Sequence, residues 1–312
     1  MEQEKLTNGT AADEGSAGEV ASSEEISGLL EQEEQPWMKL SMDGRDIEVG
    51  RVENFSITHQ NVTTNGCIYY PEGEGPFKVM CFIHGGAFVG GFNFMDEPVC
   101  RQICHEVGCA VISPNYQLAP AAKFPAALEE LYDLLLYFKE HQAEYSLDMS
   151  HLAVGGSSAG GNYAAAVCVK AAQEGNLAIS YQALIYPSID LYENPDDKVT
   201  PLTDAVSMPP EGVRQMLALY LSEEDLQKAD NPLISPALAD AKIFPATGIF
   251  SGRVDIFWRE DVKFALKLAE AGKHVLYRSF GDTGHGFMEL AGREDVSREV
   301  RTLICEELRR FL

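Results

Sequence analysis

Gly156-Ser157-Ser158-Ala159-Gly160 sets a hydroxyl among small neighbours in a G-x-S-x-G pattern. A serine becomes a nucleophile when a base can take its proton and nearby donors can hold the charge its attack creates. The pattern alone is weak. With glycine at about 7% of residues, chance supplies it in roughly one chain in ten of this length. Its setting adds weight: residues 151–155 read as a buried strand, and those after Ser158 as an alanine-rich helix. So sharp a strand-to-helix turn needs small residues on both sides, and it leaves the hydroxyl where the helix dipole favours negative charge. The bland alternative is a helix-capping serine in a glycine-rich turn. Ser157 could cap as well, but only Ser158 holds the central position.

Upstream, His84-Gly85-Gly86-Ala87-Phe88 follows the short apolar run 78–83. Adjacent glycines let a backbone approach a substrate closely with its N–H groups aimed inward, as a tetrahedral oxyanion requires. Gly85, Gly86 and the N–H of Ala159 are the candidate donors, and His84 is expected to orient the loop rather than act as base. The candidate base is His285, in the glycine-rich loop Gly281–Phe287 after a strand, where an imidazole stays reachable. Asp255 follows the preceding strand in the same way. Consecutive parallel strands would deliver both side chains to the edge that carries Ser158, in the order Ser, Asp, His found in α/β-hydrolase triads. Asp282 is the competing acid, but so close to the histidine it reads as a turn residue. Glu260 and Asp261 fall on the first turn of the next helix, where carboxylates suit the dipole.

Those positions require a scaffold of alternating strands and helices. Strand-like runs at 78–83, 110–113, 151–155, 181–186, 247–251 and 274–280 are separated by helical patterns at 95–107, 126–142, 159–173 and 258–272, with another at 293–312. This rhythm predicts an α/β fold with a mostly parallel sheet covered on both faces. Residues 190–240 break the rhythm with prolines, polar residues and one helix near 210–221, and read as an insertion forming a cap. Residues 1–35 hold ten acidic residues and one lysine. Such a stretch is too polar to offset its ordering entropy and reads as a partly disordered tail. Its apolar patch Ile26, Leu29 and Leu30 could dock on the body as a cap element. The rest, 36–312, reads as one α/β domain carrying the 190–240 insertion.

Composition narrows the function classes. The chain has 312 residues, 45% of them hydrophobic, enough for one sizeable domain. A net charge of −24 disfavours nucleic acid and anionic membrane surfaces as partners. No secretory signal and no apolar run of the ~18 residues a membrane helix needs are legible, so a cytoplasmic location is expected. Seven cysteines, an odd number, make no disulfide framework. Cys100, Cys104, His105 and Cys109 match no common zinc spacing, and the cysteines read as small buried hydrophobes. No metal or cofactor is called for. Oligomeric state leaves no mark in the sequence.

Beyond HGG and G-x-S-x-G, the chain carries Tyr116-Gln-Leu-Ala-Pro120 and Phe124-Pro-Ala126. With these motifs residues 60–312 resemble the hormone-sensitive-lipase-like branch of α/β-hydrolase esterases, whose corresponding segment reads Y-R-L-A-P-E…F-P-A. The resemblance implies an α/β-hydrolase fold with a helical cap, built from N-terminal helices and an insertion after the sixth strand. It also implies metal-independent hydrolysis of small, short-acyl carboxylic esters through an acyl-enzyme. The chain departs from the family at Ser157 (usually Asp or Thr), Ala87 (usually Gly), Gln117, Ala121 and Ile256, and Arg259 is shifted by one. None of these removes a triad group. Phe88, Phe92 and Phe257 are the candidate pocket residues. Two rivals share the scaffold: a non-catalytic small-molecule receptor, which would have lost a triad residue, and a serine peptidase or amidase.

Overall fold

A computed structural model describes residues 41–59, 61–91, 93–198, 208–289 and 291–312. The acidic segment 1–35, with Ile26, Leu29 and Leu30, lies outside the described residues, as does Phe92. Eight strands form one sheet: β1 (Arg51–His59), β2 (Val62–Tyr70), β3 (Phe77–Ile83), β4 (Ala110–Asn115), β5 (Leu147–Ser157), β6 (Ile179–Ile185), β7 (Ala246–Gly252) and β8 (Val275–Phe280). Their order is β1-β2-β4-β3-β5-β6-β7-β8. The pairs from β4 through β8 are parallel, while β1/β2 and β2/β4 are antiparallel.

Alternation along β3 shows why both faces need cover. Val79, Cys81 and Ile83 enter one apolar core, and Met80 and Phe82 the other. On the first face lie α2 (Ala126–Glu140), α3 (Ala159–Glu174) and α6 (Trp258–Glu270), through Leu131, Val167 and Leu268 among others. On the second lie α1 (Glu97–Val107) and α7 (Glu294–Phe311). Val300, Ile304 and Leu308 of α7 repeat every fourth residue and are fully buried. Each such side chain stabilises the fold by about 1.5–3 kcal/mol. Cys100, Cys104, Cys109 and Cys305 belong to this second core, and burial pushes the Cys104 thiol up to about 12. The cysteines pack as hydrophobes.

The helices and parallel strands fall where the sequence periodicity places them. The β1/β2 hairpin does not show in that pattern, because β1 is an edge strand that buries only Phe55 and Ile57. Between β6 and β7 the chain forms α4 (Pro210–Tyr220), α5 (Glu223–Gln227) and short 3₁₀ turns. This segment is tied to the body. The buried Lys198 pairs with Glu260 of α6, and Lys123 Nζ donates to the carbonyls of Ala218 (2.8 Å) and Leu221 (2.7 Å). No helix among the described residues is long and apolar enough to cross a membrane.

Candidate active site

Strand β5 ends at Ser157 and α3 begins at Ala159, so Ser158 alone makes the turn, at φ 53° and ψ −116°. That conformation costs a non-glycine residue on the order of 1–3 kcal/mol and persists only where its surroundings impose it. Here Ser158 N–H donates to the Ile185 carbonyl (2.9 Å), and the Ser158 carbonyl accepts from Asn162 N–H (3.1 Å). Backbones crowd the turn. A Cβ on Gly160 would lie 2.0 Å from the Ile83 carbonyl oxygen. The pattern's small residues are therefore a packing requirement. Ser158 stands at the N-cap position of α3 but makes no side-chain capping bond. Its Oγ lies 2.7 Å from His285 Nε2 instead. Ser157 is buried on the other side, where its hydroxyl donates to Asp96 Oδ1 at 3.3 Å.

His285 sits between β8 and α7, and its Nδ1 is 2.7 Å from Asp255 Oδ2. Asp255 follows β7, is fully buried, and accepts the Phe257 N–H on Oδ1 at 3.1 Å. Burial pulls the imidazole down, but the charge and hydrogen bond of Asp255, aided by Glu289 and Glu260, outweigh it and raise its pKa above the usual histidine range. Tyr186 and Phe257 rings flank the imidazole edge-on at 4.9 and 5.3 Å. The competing acid, Asp282, points away: its side chain is 88% exposed and pairs with Arg293. Glu260 and Asp261 do lie in the first turn of α6, and both are buried. Glu260 also accepts the N–H groups of Ile189 (2.7 Å) and Asp190 (3.1 Å).

The loop after β3 reaches the same point. Gly86 has φ 122°, open to glycine, and a Cβ there would meet the Gly90 carbonyl oxygen at 2.3 Å. Ala87 and Phe88 follow in left-handed conformations, at φ 55° and 65°. None of the described residues accepts a hydrogen bond from the N–H of Gly86, Ala87 or Ala159. The Gly85 N–H faces the buried Asp96 carboxyl group, whose charged form it favours. His84 is a brace as expected: its Nδ1–H donates to the Gly85 carbonyl (2.7 Å), and burial takes the ring down to about 4. Tyr116 stacks on it at 4.2 Å and donates to its carbonyl at 3.0 Å, which assigns the Tyr116–Pro120 motif to loop support.

Of the aromatic candidates, Phe257 touches the histidine, while Phe88 is fully buried, stacked on Tyr220 of α4 at 3.9 Å. Phe88 therefore joins the loop to the insertion rather than opening onto a cavity. A group the sequence did not reveal lies behind the elbow: Asp96, Ser157, Tyr186 and Glu289, all buried. Asp96 carries the residue type of a helix cap, and nothing in the spacing of Glu289 marks it.

The chain matches the α/β-hydrolase fold family over residues 80–289. It is 32% identical over 229 residues to the carboxylic ester hydrolase LipN of Mycobacterium tuberculosis, covering 71% of this chain and 60% of that protein. To the esterase LipI of the same organism it is 29% identical over 232 residues, covering 72% and 71% of the two chains. The solved structure of EstE1, a thermophilic carboxylesterase cloned from a metagenomic library, superposes with a TM-score of 0.77 at 26% identity, covering 86% and 91%. The chain thus spans about three fifths of the first of these relatives and most of the other two. Sequence motifs, sheet order and these likenesses agree: the chain belongs to the α/β-hydrolase fold family, in its hormone-sensitive-lipase-like branch.

Proposed function

We propose that the protein is a serine carboxylic ester hydrolase acting through Ser158, His285 and Asp255. One observation carries this: His285 bridges Ser158 Oγ and Asp255 Oδ2 at 2.7 Å on each side, beside three backbone donors without an acceptor among the described residues. Asp255 fixes the tautomer with the proton on Nδ1, leaving the Nε2 lone pair for the serine proton. Ser158 Oγ bonds to the ester carbonyl carbon as His285 takes that proton, and the carbonyl π pair moves onto oxygen. The N–H groups of Gly86, Ala87 and Ala159 hold the oxyanion, with Ala87 in the place first given to Gly85. When the tetrahedral intermediate collapses, the C–O bond to the alcohol breaks and His285 protonates the leaving oxygen. Water then repeats the cycle on the acyl-enzyme and releases the acid.

The insertion 190–240 serves as the cap in this reading, since Tyr220 and Lys198 fasten it beside the oxyanion loop and the Asp255 turn. Phe88, stacked on Tyr220 and edge-on to Tyr163, holds the loop against that cap, and a capped site with Phe257 beside the imidazole favours short acyl groups. The natural substrate is then a small ester of acetyl to butyryl type. Comparing turnover of p-nitrophenyl acetate with that of an aminoacyl anilide tests the class. Rapid ester turnover lost in Ser158→Ala is the expected result. Preferred anilide cleavage would make the protein an amidase, and tight ligand binding without turnover would make it a receptor.

A further inference from the structure

Behind the nucleophile elbow the structure buries two carboxyl groups that the hydrolytic steps above do not use. Asp96 is at the N-cap position of α1 but makes no capping bond to its own helix. Its side chain turns inward, where Oδ1 accepts the Ser157 hydroxyl at 3.3 Å and the Gly85 N–H adds support. Glu289 lies four residues beyond His285 and accepts the Tyr186 hydroxyl at 2.5 Å on each oxygen. The Ser157 hydroxyl also faces Glu289, so one serine sits between the two acids. Neither acid forms an ion pair among the described residues. The backbone of Tyr186 is strained, at φ 35°, and its ring lies edge-on to His285 at 4.9 Å. Strain of this kind, in a residue touching the base, is the mark of an imposed position.

We propose that Glu289 is a positioning residue for His285: it holds the hydroxyl of Tyr186, whose ring lies edge-on to the imidazole, and it buries a second acid, besides Asp255, behind the base. This rests on the reading of Ser158, His285 and Asp255 as the hydrolytic triad. Asp96 is the silent partner of Glu289. Burial and the repulsion of Glu289 hold Asp96 well above the usual carboxylate range, which favours its neutral form. Glu289 is also raised by burial, but the Tyr186 hydroxyl and His285 favour its charged form. The titratable groups facing His285 include Asp255 from the β7–α6 turn, Glu260 from α6, Tyr186 from the end of β6 and Glu289 from its own loop. Those facing the acid pair are Tyr186, Cys100 and Tyr116, which stay neutral because burial raises them, together with Arg45, which acts on Asp96.

A negative charge near the ring favours the imidazolium that forms as Ser158 attacks. Removing it therefore lowers the histidine pKa and slows the chemical step. The test uses the full chain carrying Glu289→Gln, with the His285 ring titrated by ¹⁵N NMR and p-nitrophenyl butyrate kinetics followed in parallel. The expected result is a His285 titration displaced to lower pH, kcat reduced about tenfold and KM within about twofold of wild type. Glu289→Asp should recover part of both, and Asp96→Asn, which mimics a protonated acid, should lose less than Glu289→Gln. Tyr186→Phe keeps the ring packing, so it guards against a folding defect in the glutamate variant, and it should lower kcat in the same direction. A His285 titration that does not move in Glu289→Gln overturns the proposal, whatever happens to the rate. Wild-type protein that turns over no ester while His285 still responds to Glu289 would overturn it by removing the triad reading itself, a signature distinct from the first.

Discussion

Replacing Asp255 with asparagine isolates one proton. The carboxylate makes two contacts, one from Oδ1 to the Phe257 N–H at 3.1 Å and one from Oδ2 to His285 Nδ1 at 2.7 Å. An asparagine of the same shape keeps the first contact through its carbonyl oxygen. At the second it presents an NH₂ group, which stabilises the imidazole with its proton on Nε2. That tautomer cannot accept the Ser158 proton. It also forfeits the charge that offsets the cost of a buried imidazolium. Where a buried aspartate orients a histidine in this way, the loss is about 10⁴-fold in kcat, or about 5.5 kcal/mol at 1.36 kcal/mol per tenfold. Asp282→Asn is the control, since its exposed ion pair with Arg293 is worth at most about 1 kcal/mol to stability and does not touch the site. Steady-state hydrolysis of p-nitrophenyl butyrate, with thermal melting to confirm the fold, separates the two. Equal losses, or an Asp255→Asn enzyme within about tenfold of wild type, would refute the assignment of Asp255.

Gly160→Ala should destabilise the fold by about 1–3 kcal/mol or more, because its Cβ would meet two backbone oxygens, of Ile83 at 2.0 Å and His84 at 2.5 Å; an unchanged denaturation midpoint would contradict this. Glu260, which burial holds up at about 7 against the pull of Lys198, keeps a proton in the folded chain that the unfolded chain has lost. Its contribution is thus fully present below pH 4.5 and lost as pH rises toward about 7, and Glu260→Gln should flatten that stretch of the stability–pH curve. Across p-nitrophenyl esters, each methylene the site admits should add about 0.8 kcal/mol of binding, with activity rising to butyryl and then falling. Palmitoyl turnover equal to butyryl turnover would show that the capped site does not limit acyl length.

The scaffold was legible wherever one physical pattern dominated. Strand β3 reads from the apolar run Val79–Ile83, and α2 from its 3.6-residue period. Ser158, Asp255 and His285 could be found because each follows a strand on a short turn, so topology alone delivers them to one edge. The β1 strand escaped because an edge that buries two side chains has almost no hydrophobic signal. Gly85 shows a different limit. Residue type indicates that a glycine loop can offer N–H groups, but which of three successive groups faces a substrate depends on dihedral angles such as the φ of 122° at Gly86. Phe88 was read as pocket lining, yet stacking on Tyr220 claims its ring. Glu289 carries no local pattern at all, and its role depends on Tyr186, 103 residues away in sequence.

The central claim is that Ser158 forms the covalent bond. Incubation with a fluorophosphonate ester, followed by proteolysis and mass spectrometry, reads that bond directly. A single phosphonyl adduct should map to Ser158, form much more slowly in His285→Ala, and be absent from Ser158→Ala. An adduct on Ser157, or labelling that survives Ser158→Ala undiminished, would contradict it.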